Sequence, residues 1–172
     1  MKRSSWIFIG IVSIVTIVAG VAVWAGLLLL VEGSIATTPE TSVIKTRHLE
    51  KTALDMVKEE DPESYQAAID HGVEIIPLDN GNTYGAWWQP EDFDAEKDII
   101  LVTLHGHGGW AVKDFEVWYP ELTQRQYAFF GVQWWLGRSL EDEGYYDIPE
   151  MYELIVNGLA AKGITSGNIV LE

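Results

Sequence analysis

After Gly72 the chain alternates between two kinds of segment, and this alternation limits the fold more than any other feature. Apolar runs of strand length, Ile99–Leu104, residues 127–135 ("YAFFGVQWW") and residues 168–172 ("NIVLE"), take turns with two stretches of helical spacing. The runs are continuous rather than alternating, which is the pattern of strands covered on both faces in a parallel sheet. Strands that alternate with helices imply right-handed crossovers and an α/β architecture. Ahead of them, "VEIIPLDNGNTYGAWWQP" reads as two short strands, Val73–Leu78 and Thr83–Gln89, joined by the turn signal Asp79-Asn80-Gly81-Asn82. That predicts an antiparallel hairpin at one edge of a mostly parallel sheet.

The first crossover helix is expected from about Trp110 to Gln126, with Phe115, Trp118, Tyr119 and Leu122 at helical spacing despite Pro120. Asp147-Ile148-Pro149-Glu150 has the form of a capped start for the second. Its apolar face is read as Ile148, Met151, Tyr152, Ile155, Val156 and Leu159, and Gly163 ends it. Residues 41–70 also carry a helical pattern, broken at Asp61-Pro62. Together with the polar linker from residue 32 they read as a stalk or helical cover, residues 32–71, before an α/β domain at 72–172. No chemistry is visible in that segment, and His48 and His71 read as surface residues.

Residues 6–31 contain no charged side chain. As a helix this run would measure about 39 Å, more than the roughly 30 Å of hydrocarbon in a bilayer. A single transmembrane anchor is expected within residues 1–31, with a cleaved signal peptide as the alternative. For the latter, Lys2 and Arg3 would form the charged start and Ser34-Ile35-Ala36 the cleavage site. Lys2 and Arg3 before the run favour a cytoplasmic N-terminus, which places the rest of the chain outside the cytoplasm. All 26 acidic residues and nine of the 11 basic ones follow Val31. Such a strongly negative surface argues against nucleic acid and anionic lipid surfaces as partners. The absence of cysteine removes thiolate metal sites and thiol nucleophiles.

The strand at Ile99–Leu104 stops at "HGHGG", residues 105–109. In a parallel sheet, ligands bind beyond the carboxyl ends of the strands, so this turn and residues 134–138 occupy the expected site. His105 and His107 could be two ligands of a metal, although a catalytic zinc normally takes three from protein. The stretch could also be a plain strand-to-helix turn. A third reading is an oxyanion hole, since glycines let successive main-chain N–H groups face one cavity.

"ILVTLHGHGGW" resembles the strand and His-Gly turn of the α/β-hydrolases, especially esterases, feruloyl esterases and polyhydroxyalkanoate-depolymerase-like enzymes. The element order of residues 73–172 is similar to the first half of that fold, up to the strand that carries the nucleophile. The resemblance implies that His105, Gly106 and Gly109 shape the turn. It also implies that the main-chain N–H groups of His107 and Gly108 face the oxyanion, and that the substrate is a small ester or other acyl compound. Trp110, Trp134, Trp135 and Arg138 are candidates to line the pocket, and no cofactor or metal is called for. The family's Gly-x-Ser-x-Gly elbow has no counterpart in residues 1–172, because the only imitation, Gly137-Arg138-Ser139, lacks the second glycine. The expectation is therefore the N-terminal half of a membrane-anchored serine hydrolase, inactive by itself, with an unpaired apolar strand edge. The rival readings are a non-catalytic binding module that grips its ligand with Trp87, Trp88, Trp110, Trp134 and Trp135, and a zinc hydrolase built on His105 and His107.

Overall fold

The computed structural model describes residues 42–47, 49–136 and 144–172. The expectations for residues 1–31, for His48 and for residues 137–143, which include Arg138 and Ser139, lie outside the described residues. Among the described residues no helix is long and apolar enough to cross a membrane.

Five strands form one sheet. The hairpin strands are β1 (Glu74–Leu78) and β2 (Thr83–Trp88), and the later strands are β3 (Ile99–Thr103), β4 (Ala128–Val132) and β5 (Asn168–Leu171). Their spatial order is β1-β2-β4-β3-β5. The hairpin lies at one edge, and β2 also pairs antiparallel with β4. The β4–β3 and β3–β5 pairs are parallel. The turn between β1 and β2 holds Asp79, Asn80 and Gly81 at positive φ, which explains its Asx-Gly composition.

Helix α1 (Ala53–Glu60) begins at Thr52, whose side chain and that of Asp55 form a capping box. Helix α2 (Pro62–Asp70) starts at Asp61 with Pro62 in its first turn, where a missing N–H costs nothing. Helix α3 (Ala111–Arg125) connects β3 to β4, and helix α4 (Ile148–Ala161) connects β4 to β5. The first crossover moves toward β2 and the second returns past β3, so right-handedness puts α3 and α4 on opposite faces. Packing agrees. Phe129 points to the α3 face and meets Phe115, whereas Phe130 points to the α4 face. There the ring fills the space that a side chain on either Gly85 or Gly158 would need. Helices α1 and α2 extend the α3 layer, α1 packing on β2 and α2 on α3.

Three sequence expectations are corrected. Residues 42–47 are not helical but form an extended strap along α4. The Val43 N–H donates to Glu153 and the Lys45 N–H to Glu150, so tertiary bonds replace those of a helix. The buried face of α4 is Glu150, Leu154, Gly158 and Leu159, while Ile148 and Tyr152 are 77% and 63% exposed. Arg47 draws the helix round: its guanidinium clasps both Glu150 carboxylate oxygens at 2.9 and 2.7 Å, and bare backbone at Gly158 admits Phe130. Finally, β4 ends at Val132: the Gln133 N–H still donates to the Tyr84 carbonyl, but from Trp134 the backbone pairs instead with residues 144–146, the Tyr146 N–H donating to the Trp134 carbonyl and the Leu136 N–H to that of Gly144.

Candidate functional site

The strand order reverses about β3, so the carboxyl ends of β3 and β5 mark the place where such a sheet offers a crevice. β5 runs beside β3 to its end: the Glu172 N–H donates to the Val102 carbonyl, and the Leu104 N–H donates to that of Glu172. Residues 105–109 follow at once. The Gly109 N–H donates to the Gly106 carbonyl at 2.9 Å, and Gly108 sits at φ +78°. A four-residue turn with positive φ only at its third position is type II, which calls for glycine there. A side chain on Gly109 would meet the Gly106 carbonyl at 3.0 Å, so space rather than φ favours glycine there.

The main-chain N–H groups of His105, Gly106, His107 and Gly108 find no acceptor among the described residues. Gly106, His107 and Gly108 are all exposed. The turn is therefore an exposed stretch with unpartnered main-chain donors, His107 and Gly108 at its tip, at the carboxyl end of a buried strand.

The two histidines have different environments. His105 is 3% exposed and stacks on Trp134 with ring centroids 5.4 Å apart. Its Nδ1 lies 2.9 Å from the Gly106 carbonyl, which it reaches as an N–H donor in the neutral ring, and its buried Nε2 has no partner among the described residues. Burial lowers its pKa to about 4, against a smaller opposing effect of the Gly106 carbonyl, so the ring is neutral at pH 7. His107 points outward near Trp134 and Trp135. Among the described residues no three histidine, aspartate or glutamate side chains converge to hold a metal ion.

Gln133 holds the turn in place, and nothing in the sequence reading singled it out. It is fully buried. Its Oε1 accepts the Ala111 N–H at 2.8 Å, which caps α3 where Trp110 offers no side-chain bond. The same oxygen accepts the Tyr84 hydroxyl, and Nε2 donates to the carbonyls of Gly109 and Trp135. The available signal was a lone amide inside the apolar run "YAFFGVQWW", because a polar side chain in a buried strand must have its bonding capacity met.

The tryptophan candidates separate. Trp110 is 6% exposed and belongs to the core, as does Trp87 at 2%. Trp88 packs on Phe115 and Tyr119. Trp135 bridges to Tyr145 and approaches Trp110. Trp134 donates its indole N–H to the His105 carbonyl at 2.7 Å and forms one wall of an open cavity of about 490 Å³. That cavity runs from His107 to the first turn of α4, where Tyr145, Asp147, Ile148 and Met151 complete it.

No family model and no curated protein sequence matches the chain. Among solved structures it is similar to the LpqC poly(3-hydroxybutyrate) depolymerase from Bordetella parapertussis, with a TM-score of 0.41 and 12% sequence identity. The match covers 71% of this chain and 47% of that one, so the chain spans about half the length of that enzyme.

Proposed function

We propose that the chain supplies the oxyanion-binding part of a serine-hydrolase-type site that cleaves esters or related acyl bonds. The observation that carries this reading is the pair of unpartnered N–H groups, His107 and Gly108, on a turn that follows β3 and precedes α3. A loop in that position is where an α/β-hydrolase takes one of its two oxyanion donors, the other coming from the residue after the nucleophile. Main-chain donors fixed in advance stabilise negative charge as it develops on a carbonyl oxygen, with no reorganisation at the moment of reaction. On this reading the nucleophile belongs to a Gly-x-Ser-x-Gly turn at the carboxyl end of β5, which the hydrogen bonds to Val102 and Leu104 hold beside His105. The anchor is residues 6–31, with the N-terminus cytoplasmic and the acidic domain outside.

His105 has a supporting part. As a buried neutral ring tied to Gly106 and stacked on Trp134, it fixes the turn and does not act as a base.

The test is ester turnover by the protein expressed from a reading frame carried past the Glu172 codon, compared with its Gly108→Val variant. A β-branched residue at φ +78° reorients the peptide, while no atom lies within 4 Å of the new Cβ. Turnover of p-nitrophenyl acetate is expected to fall by about 100-fold or more with the fold intact. Unchanged turnover would remove the turn from the reaction. Saturable ligand binding with no turnover in either protein would favour a non-catalytic binding module.

A further inference from the structure

The cavity beside the turn has a chemical bias that the turn itself does not. Its walls include Trp134, Tyr145, Ile148 and Met151, and among the described residues that line it the only charged side chain is that of Asp147. A helix N-terminus such as that of α4 ordinarily attracts an anion. Here the place is taken: Asp147 caps the helix, accepting the Glu150 N–H at 3.1 Å, and it pairs with Lys45 at 3.0 Å. Lys45, followed by the Glu150 N–H, holds the Asp147 carboxyl below the usual aspartate range, so it is ionised at neutral pH, and Lys45 itself does not line the cavity.

The walls are also preformed. Arg47 is bonded to Glu150 through both guanidinium ends, donates to the Tyr145 carbonyl at 3.0 Å, and lies 4.0 Å over the Tyr146 ring. The segment 145–151 is thus fixed before any ligand arrives, which lowers the ordering cost of binding.

We infer that this cavity takes an uncharged apolar group, an alkyl chain or a single ring, and rejects the same group when it carries a carboxylate. Its placement against His107 makes it the pocket for the side group of a substrate whose carbonyl meets the His107 and Gly108 N–H groups. That second step rests on the proposed hydrolase reading, whereas the selectivity of the cavity does not. A volume of about 490 Å³ lies within the range of small-molecule sites.

The experiment uses the full chain in lipid nanodiscs and ligand-observed 19F NMR, with empty discs as the blank. The probes are N-(3-fluorobenzyl)acetamide and its 4-carboxylate, which share the acetamide carbonyl and differ by the ring carboxylate, with the neutral 4-carboxamide as a control for size. The neutral probe is expected to bind at least tenfold more tightly. Ile148→Asp places a second charge on the cavity at a position already 77% exposed, so folding is spared, and it should weaken the neutral probe about tenfold. Asp147→Asn keeps a good N-cap and should narrow the gap between the probes. Equal binding of the two probes, or no response to Ile148→Asp, overturns the inference. Selective binding together with failure of the Gly108→Val turnover test would leave the pocket standing and remove the hydrolase reading. Gly108-dependent turnover with indifference to ring charge would do the reverse.

Discussion

Strands β4 and β5 carry the same kind of sequence, "AFFGV" and "NIVL", and pair with the two sides of the same strand, β3. Yet every residue of β4 is buried and every residue of β5 is exposed. What differs is the surroundings. β4 has a strand on each side, α3 over Phe129 and α4 over Phe130, whereas β5 is paired along one edge, and Ile169, Val170 and Leu171 remain 42–60% exposed. An apolar run states that a strand suits cover on both faces; it does not provide the cover. The candidate turn follows β3, on the boundary between the packed and the open parts of the sheet, where a rigid base meets solvent.

The contrast can be tested most severely through the helix that covers β4. Replacing Arg47 by Met leaves the Glu150 carboxylate buried without its cation, and breaking a buried pair in this way costs about 3–5 kcal/mol. Urea unfolding should show the loss, and replacing Glu150 by Leu in the same protein should recover part of it. Burial alone would raise the Glu150 carboxyl, but Arg47 and the N–H groups of Lys45 and Asp147 outweigh it and hold the pKa below the ordinary glutamate value. This stabilisation is present above the unfolded-state pKa and is lost as acid takes the pH down through the folded one.

At the boundary the effect is next in size and depends on pH. His105 has a folded pKa lowered to about 4 from 6.5, so between these values the unfolded chain binds more protons than the native one. Stability therefore falls as the pH drops from about 6.5 to 4, by on the order of 3 kcal/mol. The difference between the stability curves of the protein and its His105→Asn variant should show this slope, and parallel curves would contradict the buried neutral ring.

On the packed side, Gly158→Val drives a branched side chain into the Phe130 ring and should cost about 1–3 kcal/mol in the same unfolding assay. On β5 the smallest effect is expected. Val170→Lys should leave stability within about 0.5 kcal/mol, since the residue is 46% exposed, and should reduce self-association measured by light scattering. A large destabilisation there would mean that β5 is packed, and the comparison would fail.

Local signals carried much of this arrangement. Asp147 and Glu150 form the capping box that their spacing suggests, Gly163 ends α4 at φ +75°, and Asp79-Asn80-Gly81 turns the hairpin. The HGHGG segment lies beyond β3, where a parallel sheet places sites. Partnerships between distant residues left no local trace. Glu150 reads as a solvent-facing cap, but Arg47, 103 positions away, makes it a buried residue and turns the apolar stripe of Ile148 and Tyr152 outward. The strap residues 42–47 have apolar spacing that suits a helix, and only the carboxylates of α4 explain why they extend. Gln133 has four bonds to groups on three segments, a role visible only once those segments meet.

We propose that the His107–Gly108 turn faces a serine nucleophile held at the carboxyl end of β5. The decisive experiment applies a fluorophosphonate probe to the native protein in whole lysate of its source cells, followed by peptide mass spectrometry. A single modified serine in a Gly-x-Ser-x-Gly sequence within a few residues of Glu172 is expected. Modification of Ser139, or of no serine at all, would contradict it.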